Sequence, residues 1–364
     1  MPETGGTLLV TGGSGFIGAN LVRHLLASRG QTVVNLDRLT YAANPLSLAD
    51  LDGHENYTFV HGDTADRALV DEALTKFRPA AILHLAAETH VDRSIVDPEA
   101  FLQANVVGTL RLLESALQYW RGLPAGAQAG FRFLQVSTDE VFGSLEAGGR
   151  FTEQSPYAPN SPYSASKAAG DHFVRAFQRT YGLPAIISHS SNNYGPCQSP
   201  EKLIPMVILC ALRGEEIPIY GDGSNERDWI YVEDHCRALE LILERGRPGA
   251  AYVVGAGHPE RNLDLVRQVC STLDALAPPP PGGIASYAEL IRFVGDRPGH
   301  DRRYAIDAGR LRGLGWSPRE SLPSGLEKTI RWYLEHPDWV RAAQDEHFHA
   351  WRRENYGWRS KGGA

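Results

Sequence analysis

The segment TLLVTGGSGFIGANLVRHLLASRG, residues 7–30, constrains the architecture more than any other part of the chain. A short apolar run ends in glycines. A helix-patterned run follows, with Leu21, Leu25 and Leu26 on one stripe and Gly30 as its stop. Gly12, Gly15 and Gly18 are spaced G-x-x-G-x-x-G, and from Gly13 the loop also reads G-x-G-x-x-G. Between a strand and a helix, such a loop brings backbone N–H groups to a pyrophosphate at the helix N-terminus. A plain strand–helix turn is the competing explanation, and only context separates the two.

The context is an alternating chain. Strand-like TVVNLD, YTFVHGD, AAILHLAA, FRFLQVST and LPAIISHSSN are interleaved with helix-like ALVDEALTKFRP, AFLQANVVGTLRLLESALQYW and SPYSASKAAGDHFVRAFQRTYG. Helices of this length between strands imply right-handed crossovers. The expected fold class is α/β: a doubly wound parallel (Rossmann) sheet with a smaller C-terminal substrate-binding α/β lobe. After Pro196 the segments shorten and Pro and Gly multiply. RDWIYVEDH and the helix after it are expected to return to the sheet. The expected division is a dinucleotide-binding domain over 1–195 with a return segment around 227–248, a substrate lobe over 196–226 and 249–345, and a polar tail over 346–364, docked or disordered. LDALAPPPPGG reads as a loop, because Pro278 to Pro281 fit neither a helix interior nor a central strand.

At 364 residues the chain suits one large domain or two intimately joined ones. A formal charge of −7 without a Lys/Arg block excludes a nucleic-acid partner. Cys197, Cys210, Cys236 and Cys270 are too scattered for a C-x-x-C pair, so no metal site is expected. No apolar run reaches the ~20 residues of a membrane span, and MPETGG has no signal-peptide pattern. The expected location is cytoplasmic, without membrane contact.

Three constellations carry chemistry. Asp37 ends the second strand, about twenty residues after the loop, where a carboxylate accepts from adenosine ribose hydroxyls and favours NAD over NADP. Arg38 complicates this, since an arginine there can serve a 2′-phosphate. Asp63, after the third strand, is placed to meet the adenine or is a surface turn. Tyr163 and Lys167 lie four apart at a helix start, on one face. A lysine ammonium near the phenol is expected to lower its pKa and fit it to take a proton from an alcohol. Finally, VSTDEVFG ends a buried strand with Asp139 and Glu140 adjacent. Burying two like charges is costly, so the pair is either a solvated turn or two acids that the chemistry needs.

The glycine loop, VSTDEVFG and YSASK together resemble the extended short-chain dehydrogenase/reductases. LDRLTYAAN, LAAETHVDRSI, SNNYGPCQSPEKLIP, YGDGSNERDWIYVEDH and DRPGHDRRYAID resemble the nucleoside-diphosphate-glucose 4,6-dehydratases, those acting on dTDP-glucose above all, up to about residue 335. Thr-Asp-Glu is the specific element: epimerases and decarboxylases of the superfamily lack the acid pair, and GDP-mannose dehydratases usually keep only the glutamate. The resemblance implies NAD as cofactor. Its shell would be Gly12, Gly15, Phe16, Ile17 and Gly18; Asp37, Arg38, Leu39 and Thr40; Asp63 and Thr64; Leu85, Ala86, Ala87 and Thr89; and Tyr163, Lys167 and Asn192. It implies C4 oxidation of a nucleoside-diphosphate hexose with Tyr163, Lys167 and Thr138 at the hydroxyl. Glu140 would be the base at C5 and Asp139 the acid at C6, and hydride would return to C6. Thr89, His90, Thr138, Asp139, Glu140 and Asn192 would touch the sugar. Lys202, Leu203, Pro218, Ile219 and Tyr220 would line the base pocket, and Arg227, Asn262, Arg297 and His300 would hold the diphosphate. It also implies a homodimer through a four-helix bundle.

Some positions depart from the family. Thr89 stands where serine is usual, Ala104 where a hydroxyl residue is common, and Ser188–His189 replace a different pair. His189 reads as a strand residue. Two other readings stay open: a sibling dehydratase or epimerase acting on a UDP-, GDP- or CDP-sugar, and a non-catalytic NAD-binding regulator.

Overall fold

The structure, a computed structural model, describes residues 6–146, 148–278, 281–344 and 346–356. The chain opens with β1 (Thr7–Thr11), α1 (Phe16–Arg29), β2 (Thr32–Asp37), β3 (Tyr57–His61), α2 (Arg67–Phe77) and β4 (Ala81–His84). Next come α3 (Val91–Val96), α4 (Pro98–Phe101), a π-helical stretch (Leu102–Gly108), α5 (Thr109–Gly122), α6 (Ala125–Gly130), β5 (Arg132–Thr138), α7 (Pro162–Tyr181) and β6 (Ala185–Ser190). Helix ends follow local chemistry. Asp66 caps α2 by accepting from the Leu69 N–H, Ser161 caps α7 ahead of Pro162, and left-handed Gly182 (φ 78°) closes α7.

The six strands pair in parallel in the order β6-β5-β4-β1-β2-β3. Alternate residues of β1 feed two cores. Leu8 and Val10 pack under α1, and Leu9 packs with Leu112, Leu113, Val174 and Phe177 on the other face. This is the period of a strand buried on both sides.

The second half comprises β7 (Asn192–Tyr194), α8 (Leu203–Arg213), β8 (Ile217–Tyr220), β9 (Glu226–Tyr231), α9 (Val232–Arg245), β10 (Ala251–Val254), β11 (Pro259–Arg261), α10 (Asn262–Leu276), β12 (Ile291–Val294), α11 (Gly309–Arg312), α12 (Leu322–Glu335), α13 (Pro337–Ala343) and α14 (Glu346–Tyr356). β11-β9-β7 and β12-β8 form two small sheets. Around them lies a separate core with Ile208, Leu265, Val269 and Ile330.

The return to the large sheet differs from the sequence expectation. RDWIY is β9 and pairs with β7, in a small sheet. α9 does return, packing Cys236, Leu239 and Leu243 into the core under the large sheet. The strand that joins that sheet is β10, paired with β6. Residues 251–254 therefore lie in the large sheet and not in the lobe expected from 249. Tyr252, Val253 and Val254 are buried there. Ala308, Leu311 and Trp316 also pack into the core beneath it. Only Ser191, buried and with its N–H donating to Val254 O (2.9 Å), separates β6 from β7, so the chain changes sheets within one residue.

Two further segments differ. α10 runs to Leu276, because buried Leu273 continues its apolar stripe, so the proline loop starts at Ala277; Pro279 and Pro280 lie outside the described residues. The tail is helical over Glu346–Tyr356, with Phe348 and Trp351 buried in the second core; residues 357–364 lie outside the described residues.

Candidate active site

A cleft runs along the carboxyl ends of the large sheet's strands, as expected of a doubly wound fold. It opens to solvent and is lined from the glycine turn after β1 to the tip of β5 and the start of α7. Its floor is the β1–α1 turn. Gly12 has φ +72°, and a Cβ there would fall 2.6 Å from Ala86 N; a Cβ on Gly18 would fall 2.1 Å from Gly12 O. Both glycines are required for the turn to close. Gly15 meets only ordinary contact and leaves its backbone open to the cleft.

At one end the Asp37 carboxylate accepts from the N–H groups of Ser14 (2.9 Å) and Leu39 (2.8 Å). Arg38 donates to Asp63 (3.1 Å) and Glu88 (2.6 Å). The guanidinium is thus balanced by two carboxylates, and a third, Asp37, lines the cleft. Ribose hydroxyls fit this set and a 2′-phosphate does not. The glycine turn, Asp37, Asp63, Thr64 and the Leu85–Ala87 segment together fit NAD.

At the other end, Tyr163 and Lys167 on α7 face the tip of β5, and Thr138, Asp139, Glu140 and both α7 side chains line one wall. Lys167 Nζ donates to Val136 O (2.9 Å). Burial lowers its pKa, and Asp171 opposes the shift. The Tyr163 phenol differs from expectation. Burial, then the Glu140 carboxylate, push it up, and the Thr138 hydroxyl opposes them. The Lys167 ammonium is held at the Val136 carbonyl, while the Glu140 and Asp139 carboxyls stand near the phenol.

The acid pair sits on a single helical turn, Asp139–Phe142, capped by the Thr138 hydroxyl, which accepts from the Glu140 N–H (3.2 Å). Burial, then the neighbouring Glu140 charge, hold Asp139 well above the ordinary carboxyl range; its Oδ2 has no hydrogen-bond partner among the described residues. Glu140 is raised by burial too, but Arg297, Lys202 and Arg227 oppose it, and Ser164 Oγ donates to it (3.3 Å). Both carboxyls are raised, Asp139 well above its ordinary range, while three cations offset part of the burial of Glu140; unequal surroundings of this kind divide acid and base roles.

The second lobe supplies the cations around Glu140. Arg227 stacks on the Tyr304 ring at 4.2 Å and donates to Asp301 O. Arg297 lies 3.6 Å from Asp92, which also accepts from Tyr220 OH (3.1 Å). His300 holds Asp296 (2.6 Å), and burial, with Arg297 and Arg227, lowers its pKa to about 4. Lys202 donates to Thr89 O (3.1 Å) at the cleft wall. Asn262 heads α10, and its Oδ1 is buried without a partner among the described residues.

Of the expected cofactor shell, the cleft brings together every residue except Leu39. With φ 55°, Leu39 turns its half-exposed side chain toward a neighbouring cavity. Ile219 is not brought in either: strand alternation on β8 buries its side chain in the second core, opposite Pro218 and Tyr220. Leu203 packs against the same core. His90 is buried beside Thr89 with its ring edge-on to Trp351 at 5.0 Å. The cleft also takes in Ser137, Ser190, Ser191, Gln198 and Ser199, which sequence reasoning missed. Their one signal was proximity to VSTDEV and SNNYGP. Among the described residues, no group of three or more His, Cys, Asp or Glu could hold a metal ion.

The chain matches the family model described as GDP-mannose 4,6 dehydratase over residues 9–329. A dTDP-glucose 4,6-dehydratase of Salmonella typhimurium is 49% identical over 359 residues, covering 96% of this chain and 98% of that protein. One from Neisseria gonorrhoeae is 53% identical over 330 residues, covering 90% and 95%. DesIV of Streptomyces venezuelae, a dTDP-glucose 4,6-dehydratase solved with NAD and TYD bound, superposes with a TM-score of 0.82 at 45% identity, covering 92% of this chain and 98% of that one. The family model is described by a GDP-sugar, whereas these relatives, matched over nearly their whole length, are dTDP-glucose enzymes. With Thr138, Asp139 and Glu140 set opposite Tyr163 and Lys167 in one cleft, the chain belongs to the dTDP-glucose 4,6-dehydratases.

Proposed function

We propose that this chain converts dTDP-glucose to dTDP-4-keto-6-deoxyglucose and water, using NAD that is regenerated in each cycle. The observation that carries the reading is the Asp139–Glu140 pair, with unequal surroundings, in the cleft that also holds Tyr163 and Lys167. NAD, when bound, supplies the acceptor and later the donor of one hydride. The chain's residues handle the protons. Tyr163, reacting as the phenolate that the Lys167 ammonium beside it favours, takes the C4 hydroxyl proton, with Thr138 orienting it. The resulting ketone acidifies C5–H, Glu140 removes that proton, and Asp139 delivers its own to the departing C6 hydroxyl. Arg227 and Arg297, with His300 and Asn262, hold the diphosphate. Thr89, His90 and Asn192 border the sugar, and Lys202, Pro218 and Tyr220 border the base.

The division of labour follows the same reading: the large parallel sheet with α9 and β10 binds the cofactor, and the small sheets with α8, α10 and α12 bind the sugar nucleotide. We also assign a homodimer through α5 and α7. Val96 of α3 is 81% exposed, Leu102 of the π-helical stretch 50% and Phe173 of α7 36%; the first two elements pack on α7, and a second copy would cover these apolar side chains. Sedimentation at twice the monomer mass supports the dimer; a monomer at micromolar concentration refutes it. A cytoplasmic location accords with four free cysteines. Among the described residues no helix is long and apolar enough to cross a membrane.

The test is a panel of dTDP-, UDP-, GDP- and CDP-hexoses read by mass spectrometry. Loss of one water from dTDP-glucose, far faster than from the others, is expected. Epimerised sugar of unchanged mass would replace this reading with the epimerase one.

A further inference from the structure

Behind the tip of β5 lies a buried polar cluster that the proposed chemistry does not use. Asp171, on α7 and fully buried, accepts at Oδ2 from Ser137 Oγ (2.7 Å) and Tyr157 OH (3.2 Å). The same oxygen lies 3.2 Å from His189 Nε2. The Tyr157 hydroxyl and His189 Nε2 also meet, at 3.0 Å. Asp171 Oδ1 has no hydrogen-bond partner among the described residues. So large a set of donors on one buried oxygen, with the other left bare, is expensive unless the charge is wanted there.

Two facts indicate what wants it. Asp171 follows Lys167 by one helical turn, so both side chains share a face of α7. Lys167 donates to Val136 O, and the next residue, Ser137, donates to Asp171. Two neighbours on one helix therefore pin two successive residues of β5, immediately before Thr138 and Asp139. Burial drives Lys167 toward the neutral form, and among the described residues Asp171 is the charge that opposes this. Other titratable groups border the cluster. His84 lies on the Lys167 side, and Arg175 and the His172 ring flank Tyr157.

We propose that Asp171 is a positioning residue: it fixes the strand end that presents Thr138 and Asp139, and it supplies the buried counter-charge to the Lys167 ammonium. His189, which departs from the family pattern, then acts as one of the donors that hold Asp171. The catalytic consequence rests on the dehydratase reading, but the charge pairing can be measured without turnover.

The chain has five lysines, Lys76, Lys167, Lys202, Lys328 and Lys361, so protein labelled with 13C at lysine Cε gives a sparse spectrum. The Lys167 signal is the one lost in Lys167→Arg. In Asp171→Asn its titration midpoint should fall by at least about one pH unit; an unchanged midpoint overturns the proposal. Ser137→Ala cuts the tie and keeps the charge. It should leave the midpoint in place and lower kcat roughly tenfold with KM little changed; an unaltered kcat refutes the positioning role. If Asp171→Asn does not fold, adding Lys167→Met should restore the fold by removing the uncompensated cation, and an unfolded double variant overturns the pairing. Wild-type protein that fails to dehydrate any sugar nucleotide would instead refute the dehydratase reading, and the lysine titration would stand apart from it.

Discussion

At the scale of single residues, the site turns on two carboxyls that differ in company rather than in kind. Glu140→Gln should stop loss of the C5 proton, so that deuterium from solvent no longer enters C5 and turnover falls at least ~100-fold. Oxidation at C4 should persist, visible as reduced-nicotinamide absorbance on mixing with substrate. Asp139 carries a second consequence, in stability. Its folded pKa is held well above the ordinary value by burial and by Glu140. The folded chain thus keeps a proton that the unfolded chain gives up at lower pH. The stability this group contributes is complete below the ordinary carboxyl range and is lost as pH rises through the folded value. Asp139→Asn removes the loss. Its thermal midpoint should exceed the wild type's by more at about pH 8 than at about pH 5, with a gain on the order of 1–3 kcal/mol at the higher pH. A gain that shrinks with rising pH would contradict the assignment.

At the scale of elements, the π-helical stretch Leu102–Gly108 interrupts what periodicity alone reads as one long helix. Its Asn105 accepts from Glu88 N (2.8 Å) and donates to Glu88 O (3.0 Å) and Ser166 Oγ (2.8 Å). That side chain tethers the β4–α3 loop, which lines the cleft, to α7. The widened turn also directs a buried relay. Thr109 donates to Asn105 O (2.7 Å), so His84 Nε2 donates to Thr109 (3.0 Å) and His84 Nδ1 accepts from Thr11 (2.7 Å). Burial brings the His84 pKa down to about 3 and keeps the ring neutral. Asn105→Ala should cost about 2–4 kcal/mol in denaturant unfolding and weaken NAD retention on gel filtration; a loss below about 0.5 kcal/mol would refute the tether. The sequence made the strands, their order of alternation and the glycine turn legible, because these depend on local pattern. It left the π-turn, the pairing of β10 and the inward face of Ile219 illegible. Each is settled by a partner distant in the chain: Glu88 for Asn105, β6 for β10, the second core for Ile219.

For the whole molecule, the C-terminal helices bind the two halves together. Trp339 donates to Ser47 Oγ (2.9 Å), and its carbonyl accepts from Asn44. Trp351 reaches the ring of His90 from the second core. Polar composition disguised this tail, since its anchors are two aromatics among many charges. Trp351→Ala should lose about 3–5 kcal/mol of stability. It should also raise KM for the sugar nucleotide more than it lowers kcat, since His90 then loses its support. Unchanged KM in a folded variant would place His90 outside the substrate wall.

The one-residue passage from β6 to β7 bears on traffic through the site. Ser191 is buried, and its N–H is fixed to β10. A joint so short, pinned to β10, ties the wall built on β6 to the wall built on β7 at their common base. Thr40, Ala42 and Ala43, in the loop after β2, line the same cleft, and entry and exit are expected to run past that loop.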